Sequence, residues 1–402
     1  MNVLFLSLLD YDCLEQSNIY TDVLMEFVKN GHFVYAISPI EYRNRRKLII
    51  NNHIGYQIIK PCVGNITNTP VFEKGTALFK FSKQIIHCIE KEIGDKQIDL
   101  FIVATPPVTN DIVIKYVKKK YQAKIYLLLK DIWPGNIFKV RLPGGIITQM
   151  IVHIFFRKHE KCLYRISDYI GCMSLANVEY VLKNNLDLPP EKVHINPNSI
   201  KPKKNNISLE EKQQIRKKYH IPENKLCFVY GGTLGPGQDI KNVVKCLKKC
   251  KKLDCHFLIV GRGMEATLIT EYIETEQPEN VTYSPWIPKD EYKRVLAACD
   301  VGLVFLRYNS NTPSFPSRIL SYMELGLPII SCTSKVSDLN RVIEEGKFGW
   351  GSFSNDPNSF YYAVCRCMGS DLNAYKKRSR KYLEENYTAE KSYNIIINIM
   401  KD

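Results

Sequence analysis

The segment from Gly231 to Gln238 is the part of the chain best suited to contact phosphate. It holds four glycines within its first seven residues, follows the apolar run LCFVY and leads into a helical pattern. Glycines let the backbone approach a ligand closely, and unpaired N–H groups at the start of a helix attract anions. The loop matches neither a Walker sequence nor GxGxxG, so a tight turn without a ligand stays open as the alternative.

Two arginines of the second half are candidates for binding the same anion. Ser317 and Arg318 follow a proline and begin a short helical pattern, where a hydroxyl, a guanidinium and unpaired N–H groups converge on one point. Arg262 follows the strand-like run HFLIVG, so its guanidinium can grip a diphosphate at the carboxyl end of the sheet. A nucleotide base is expected against the backbone of Trp286 and Ile287, unless Trp286 simply packs in the core.

In the first half, Lys130 and Asp131 directly follow the apolar run IYLLL. A carboxylate at a strand end can orient or deprotonate a hydroxyl, and the lysine can meet a phosphate. A helix cap and a surface lysine are the alternative. The turn Thr105–Pro107 either forms one wall of an acceptor-binding site or is a structural turn without a role in binding. The basic loop after the second strand holds an anionic acceptor or is solvated, and its cations are Arg43, Arg45 and Arg46.

The elements that position these residues alternate between strand and helix. The β-α order repeats from VLFLSLL to YIGCMS and restarts at LCFVYGG, and its continuous apolar strands indicate parallel sheets covered on both faces. A polar, lysine-rich stretch after Asn198 predicts a linker. We therefore expect an α/β fold of two Rossmann-like domains facing across a cleft, residues 1–200 and 201–384. The active site is expected in that cleft, and a final helix at about 385–402 can pack back on the first domain.

Composition restricts the partners of this 402-residue chain. An excess of 56 Lys and Arg over 41 Asp and Glu, a net charge of +15, favours anionic partners such as nucleotides, lipid diphosphates, acidic membranes or nucleic acid. The 13 cysteines form no CxxC pair and have no histidines at zinc spacing, so neither disulfides nor a metal site are indicated. The histidines do not support a metallohydrolase. These features, and a start that lacks signal-peptide character, predict a cytoplasmic protein.

The run Gly144–Phe156 is the nearest approach to a membrane segment, although it is shorter than a spanning helix requires. Four basic residues follow it, namely Arg157, Lys158, Lys161 and Arg165. This order is typical of an interfacial helix on an anionic membrane. A buried helix with a basic end is the other interpretation.

Several of these segments together resemble bacterial family 4 glycosyltransferases of the GT-B fold, especially those of capsule and O-antigen assembly. The matching segments occur in the family's order: VLFLS, Asn30-Gly31-His32, VGRG, Trp286-Ile287-Pro288, Ala298-Cys299-Asp300-Val301-Gly302 and Pro316-Ser317-Arg318. The resemblance covers nearly the whole chain. It implies a second domain for a nucleotide-sugar donor and a first domain for the acceptor.

The resemblance also assigns residues to the donor. The loop with Gly232, Thr233, Gly235 and Gln238 would face the diphosphate together with Arg262. Ile287 would face the uracil or another base, and Ser317 with Arg318 the phosphates. Two glutamates common in the family correspond here to Pro313 and Ser321, and Ser321 can hydrogen-bond a ribose hydroxyl as a neutral partner. Pro236 and Gln238 stand where many relatives have basic residues.

On the acceptor side, Gln16-Ser17-Asn18 replaces a glycine pair common in the family, so Ser17 and Asn18 would make a different contact there. Asp131 matches an aspartate of the capsule subgroup. The expected function is transfer of a sugar from a UDP-sugar to a lipid-diphosphate-linked saccharide, with retention and without metal or cofactor, by a cytoplasmic enzyme in peripheral contact with the anionic inner membrane. A sugar-nucleotide epimerase of the same fold and a basic nucleic-acid-binding protein remain the alternatives.

Overall fold

The computed structural model describes residues 1–44, 47–66, 69, 71–133, 145–204 and 207–401. By their internal contacts they form two compact units, unit 1 (Met1–Lys201 with Ala389–Asp402) and unit 2 (Pro202–Thr388). Each unit is a largely parallel sheet with helices packed against it. The predicted α/β class with two Rossmann-like units is therefore confirmed.

Unit 1 contains a sheet of eight strands in the order β10-β9-β8-β7-β1-β2-β5-β4, with β4 antiparallel to β5 and a separate β3-β6 pair. Its strands are β1 (Asn2–Leu6), β2 (Phe33–Ile37), β3 (Ile40–Glu41), β4 (Ile49–His53), β5 (Tyr56–Lys60), β6 (Cys62–Val63), β7 (Leu100–Ala104), β8 (Lys124–Leu129), β9 (Tyr169–Cys172) and β10 (Val193–Ile195). Its first five helices are α1 (Thr21–Lys29), α2 (Val71–Glu92), α3 (Asp111–Tyr121), α4 (Gly145–Ile166) and α5 (Leu175–Asn184).

The central strands of unit 1 are apolar on both faces because helices cover both faces of the sheet. β7 (LFIVA) is buried at every residue, and alternate residues enter two different cores. Phe101 and Val103 face one core, whereas Leu100 and Ile102 face the other. Since β7 and β8 are neighbours, the residues that follow them, Thr105 and Lys130, emerge at the same edge.

Unit 2 contains a parallel sheet of six strands in the order β13-β12-β11-β14-β15-β16. Its strands are β11 (Leu226–Gly231), β12 (Cys255–Val260), β13 (Val281–Ser284), β14 (Val301–Phe305), β15 (Ile329–Thr333) and β16 (Gly349–Phe353). Its helices are α6 (Leu209–Lys218), α7 (Ile240–Lys249), α8 (Thr267–Glu276), α9 (Lys289–Ala298), α10 (Arg318–Glu324), α11 (Leu339–Glu345), α12 (Pro357–Met368) and α13 (Leu372–Asn386). β11, β12 and β13 are adjacent, so their exit loops share one edge.

The last helix, α14 (Ala389–Lys401), belongs to unit 1 and packs on α1. The Tyr393 ring meets Phe27 edge-on with 4.8 Å between centroids, and the Ser392 hydroxyl donates to Asn196 Oδ1 at 2.7 Å. No helix in the described part of the chain is long and apolar enough to cross a membrane.

Candidate functional site

The exit loop of β11 lies against the guanidinium of Arg318, at the start of α10. Gly232 has φ +150°, and a Cβ built there would stand 2.8 Å from Arg318 Nη2. A Cβ at Gly261, in the next exit loop, would stand only 1.8 Å from the Gly232 carbonyl oxygen. Only glycine leaves room for these contacts, so the two glycines are required by packing inside the protein before any ligand is considered.

Three tyrosines surround Arg318. Its guanidinium carbon lies 4.7 Å from the centroid of the Tyr230 ring, and Tyr292 and Tyr322 are close enough to act on it electrostatically. The Tyr322 hydroxyl is held in place, since it accepts from the Gly231 N–H at 3.4 Å and donates to the Leu303 carbonyl at 3.2 Å. The recorded neighbours of the guanidinium are thus one aromatic ring and phenol hydroxyls, without a carboxylate among the described residues.

Arg318 keeps an unsatisfied hydrogen-bond donor. Its Nη1 is buried and has no hydrogen-bond partner, and no carboxylate of the described residues forms an ion pair with the side chain. Nearby, the backbone N–H groups of Thr233 and Gly235 donate to no described residue. Arg318 as a whole is half-buried, but a buried N–H donor without an acceptor is costly, so this arrangement is suited to an anion that accepts from both the guanidinium and the loop.

The start of α7 is not the free anion site that the sequence predicts. Asp239 Oδ1 accepts from the Asn242 N–H and Glu265 Oε2 accepts from the Ile240 N–H, each at 3.4 Å. Two carboxylates thus already occupy the positive end of this helix. The Gln238 N–H is also engaged, by the Gly235 carbonyl at 2.9 Å. If the loop binds an anion as the sequence predicts, the N–H groups left for it are therefore those of the first residues of the loop.

Arg262 contacts the exit loop of β13. Its Nε donates to the Pro285 carbonyl at 3.2 Å, and its guanidinium carbon lies 5.5 Å from the Trp286 ring centroid. Trp286 is 58% exposed, so the alternative that it packs in the core is wrong, whereas the Ile287 side chain is buried. The backbone carbonyl of Arg262 accepts from the Leu234 N–H at 2.8 Å and joins the two loops. Contact of the Arg262 side chain with a diphosphate stays a prediction.

The two positions that carry glutamates in the resembling family lack a carboxylate here. Pro313 is buried and Ser321 is half-buried. The nearby carboxylate of Glu324 does not replace them, because it forms an ion pair with Lys293 at 2.6 Å and accepts from the Lys203 N–H at 2.9 Å. The Ser317 hydroxyl is exposed and does not cap α10, so it is free to contact a ligand.

In unit 1, the Thr105 hydroxyl organises the turn that follows β8. It accepts from the Lys130 N–H at 3.0 Å and the Asp131 N–H at 3.3 Å, and it donates to the Asp131 carbonyl at 3.2 Å. The Lys130 ammonium reaches the Asn196 carbonyl at 3.2 Å. Thr105 therefore positions the Lys–Asp pair, a supporting role beyond the acceptor wall that the sequence predicts.

Loss of hydration shifts both pKa values in the direction of the uncharged form of each group, although the structure leaves Asp131 exposed and Lys130 half-buried. It lowers the pKa of Lys130 to about 7, and the main opposing effect is the nearby Cys172 thiol. Loss of hydration also raises the pKa of Asp131, against a backbone hydrogen bond from Ile132. The pKa of the Tyr20 phenol is raised mainly by loss of hydration and further by the nearby Asp131 carboxylate. A carboxyl with a raised pKa is suited to proton transfer.

The other predicted acceptor residues have partners within unit 1. The Ser17 hydroxyl donates to Asp22 Oδ2 at 2.9 Å, and Asn18 Oδ1 accepts from the N–H groups of Tyr20 and Thr21 at 2.8 and 3.0 Å. Arg43 forms an ion pair with Glu41 at 2.6 Å. Their contacts with an acceptor stay predictions. Arg45 and Arg46 lie outside the described residues.

The residues that sequence reasoning missed are mostly tyrosines. Tyr230 and Tyr322 occur within segments already singled out, but only the fold shows that their rings meet Arg318. Tyr292 comes from α9 and carries no sequence signal for this site. Tyr20 likewise becomes a neighbour of Asp131 only through folding. Among the described residues, no group of three His, Cys, Asp or Glu side chains could hold a metal ion.

One protein family matches most of unit 2. Residues 211–386 match the family model described as Glycosyl transferases group 1. This part of unit 2 is thus similar to group 1 glycosyltransferases, and the matched range includes the β11 loop, Arg262 and Arg318. The finer subdivision into family 4 is not part of this finding.

Two curated relatives are glycosyltransferases by name. The chain is 25% identical over 268 residues to WbjE of Pseudomonas aeruginosa, across 66% of this chain and 65% of that protein. It is 21% identical over 130 residues to WcaI of Escherichia coli (strain K12), named for colanic acid biosynthesis, across 32% of each chain. The chain thus spans somewhat less than two thirds of the first relative's length and about a third of the second's.

Solved structures of the GT-B fold align with the whole chain. The crystal structure of HepE from Anabaena in complex with UDP covers 100% of both chains, with a TM-score of 0.65 and 13% sequence identity. HepE has also been solved in complex with UDP-glucose. At this identity the likeness shows the fold alone. The expectation of a GT-B fold is confirmed.

Proposed function

We propose that the protein is a family 4 glycosyltransferase that moves a sugar from a UDP-sugar to a lipid-diphosphate-linked saccharide. The product would be a surface polysaccharide of the capsule or O-antigen type. The colanic acid relative and the UDP complexes of HepE support a polysaccharide role and a UDP donor. The enzyme would work at the inner face of the cytoplasmic membrane, without nucleic acid as a partner.

The observation that carries this proposal is the unpaired Nη1 of Arg318 beside the β11 loop. When a glycosidic bond to a nucleoside diphosphate breaks, negative charge develops on the departing phosphate. A guanidinium and two N–H groups, already in place, would stabilise that charge without reorganisation. These groups provide the electrostatic role that a divalent cation has in other transferases, so we propose a metal-independent reaction.

Other residues of unit 2 would orient the donor. The exposed ring of Trp286 offers a flat surface for the base, and Ile287 offers backbone groups beside it. Ser321 would hydrogen-bond a ribose hydroxyl and Ser317 a phosphate oxygen. Neutral hydroxyls form weaker bonds than the carboxylates common in the resembling family, so sugar and ribose are expected to contribute less to affinity than the diphosphate does.

On the acceptor, Asp131 would receive the proton of the attacking hydroxyl and Lys130 would contact a phosphate. Thr105 would hold the backbone of both residues. We propose retention at the anomeric carbon, with departure and attack on the same face of the sugar, because no side chain in the described part of the chain stands out as a covalent nucleophile.

The test measures the affinity of the variant Arg318→Met for UDP by isothermal titration calorimetry. Removing the guanidinium whose Nη1 has no partner among the described residues should weaken UDP binding by about 2 kcal/mol, roughly 30-fold. The control is Arg294→Met, which removes an exposed arginine of unit 2 that pairs with Glu211. Equal UDP affinity in wild type and Arg318→Met would exclude Arg318 from the donor site. Conversion of the UDP-sugar without any acceptor would instead favour the epimerase.

A further inference from the structure

The exposed face of α4 changes from apolar to basic along the helix. Its first half exposes five large apolar side chains, with exposed fractions between 51 and 69%: Ile146, Ile147, Met150, Ile151 and Ile154. Residues three or four apart lie on one side of a helix, so most of this set forms a single stripe. The stripe continues in the second half as Lys158, Lys161 and Arg165, which are also exposed.

The opposite side of α4 attaches the helix to unit 1. Gln149, Glu160, Leu163 and Tyr164 are buried there, and α4 packs along α3. The interpretation of the apolar run as a buried helix is therefore wrong for the stripe from Ile147 to Ile154. Soluble proteins seldom expose several large apolar side chains side by side, and such a patch marks an interaction surface.

The neighbouring helix α2 extends this patch. Its Phe79 is 68% exposed, and the Phe79 ring lies 5.4 Å from that of Phe155 on α4. Lys80 and Lys83, close to Phe79 on α2, are exposed as well. Both helices thus place aromatic or aliphatic groups beside lysines. We call this combined surface the α2–α4 face.

The charge around the face selects its occupant. The single acid of α4, Glu160, is buried and forms an ion pair with Arg157, so it does not offset the exposed lysines. Neither Lys158 nor Lys161 forms an ion pair with a described residue. Two copies meeting through this face about a two-fold axis would bring these positive borders together. A surface with an apolar interior and negatively charged head groups complements the face on both counts.

We propose that the α2–α4 face inserts into the interfacial layer of an anionic lipid bilayer. The stripe from Ile147 to Ile154 enters the boundary between head groups and acyl chains, with α4 lying in the membrane plane. Lys83, Lys158 and Lys161 meet the lipid phosphates. The inference deepens the proposed function, because it names the surface on which a lipid-linked acceptor would be reached, but the binding itself requires neither donor nor acceptor.

Vesicle flotation tests the proposal. Wild type is expected to bind phosphatidylcholine vesicles that contain about 30% phosphatidylglycerol at least ~10-fold more tightly than pure phosphatidylcholine vesicles. The double variant Ile147→Glu, Ile151→Glu should lose at least ~10-fold in affinity for the anionic vesicles, because it places carboxylates in the inserted stripe. The matched control is Ile54→Glu, which changes an equally apolar side chain, 98% exposed, elsewhere in unit 1.

Three results would overturn the proposal: no binding of wild type to anionic vesicles, equal binding to neutral ones, or equal loss of binding in the control. A dimer of wild type that the double variant abolishes, without vesicle binding, would assign the face to a second copy. Circular dichroism shows whether the variants fold. The double variant Lys158→Gln, Lys161→Gln removes two cations without adding a charge to the apolar stripe, and it should weaken binding to anionic vesicles. UDP binding is measured separately, so failure of the donor site and failure of this face give different results.

Discussion

Lys130 and Asp131 are adjacent residues in the turn after β8, where loss of hydration disfavours the charged form of both side chains. Loss of hydration lowers the pKa of Lys130 to about 7 and raises that of Asp131, which the structure leaves exposed. In the proposed reaction Asp131 would accept a proton only in its ionised form, so the reaction should slow as pH falls through its raised pKa. Lys130 attracts a phosphate only while it is charged, so that attraction should weaken above about pH 7.

The substitution Asp131→Asn separates proton transfer from donor binding. The amide keeps the size of the side chain but cannot accept the proton, so we expect kcat to fall by about 100-fold or more. UDP affinity should stay the same because all the proposed donor residues belong to unit 2. The control is Asp95→Asn, which neutralises an exposed carboxylate of unit 1. Transfer assays at saturating donor measure the loss, and full activity in Asp131→Asn would refute the assignment.

At the scale of elements, the loop after β11 should lose its proposed UDP-binding geometry when a single methyl group is added at Gly232. In Gly232→Ala the new Cβ would meet the Arg318 guanidinium at 2.8 to 2.9 Å, at a φ that alanine rarely adopts. The guanidinium would have to move, so we expect UDP affinity to fall at least ~10-fold. Gly237→Ala is the matched control, because nothing lies within 4 Å of its Cβ. Similar UDP affinities in the two variants would show that the loop does not position Arg318.

The elements that the sequence predicts best are those with uniform burial. β7 and β11 were recognisable as apolar runs because both of their faces are covered. The hairpin of β4 and β5 was missed because β4 (IINNH) is a partly exposed edge strand with polar residues at its end. The Arg318 site was predictable in part: the glycines and the arginine have local signals, whereas Tyr292 arrives from a distant helix. Occupation of the α7 terminus by Glu265 likewise depends on tertiary structure.

At the scale of the whole molecule, each unit contains a histidine that the proposed reaction does not use, half-buried His194 in unit 1 and buried His256 in unit 2. His194 Nε2 lies 2.6 Å from the Tyr126 hydroxyl in unit 1, and His256 Nε2 lies 2.9 Å from Thr282 Oγ1 in unit 2. Burial lowers the pKa of each histidine from 6.5 to about 4. Both are therefore neutral in the folded protein at pH values where the unfolded chain already binds protons.

The stability of both units should accordingly depend on pH. Between pH 6.5 and 4 the unfolded state binds more protons at these two positions than the folded state, so stability is present above this range and is lost as pH falls through it. From about pH 7.5 to about pH 5, each histidine should cost about 2 kcal/mol of unfolding free energy. Carboxylates also titrate at the lower end of this range, so the informative quantity is the difference between wild type and a variant that cannot titrate at one histidine.

The substitution His194→Gln keeps a polar side chain at this position but removes the titrating group. Between about pH 7.5 and about pH 5, urea unfolding of the variant should therefore show about 2 kcal/mol less loss of unfolding free energy for unit 1 than wild type does. Hydrogen exchange of unit 2, which retains His256, provides the internal control, and an unchanged pH dependence of unit 1 in the variant would show that His194 is not kept neutral by burial.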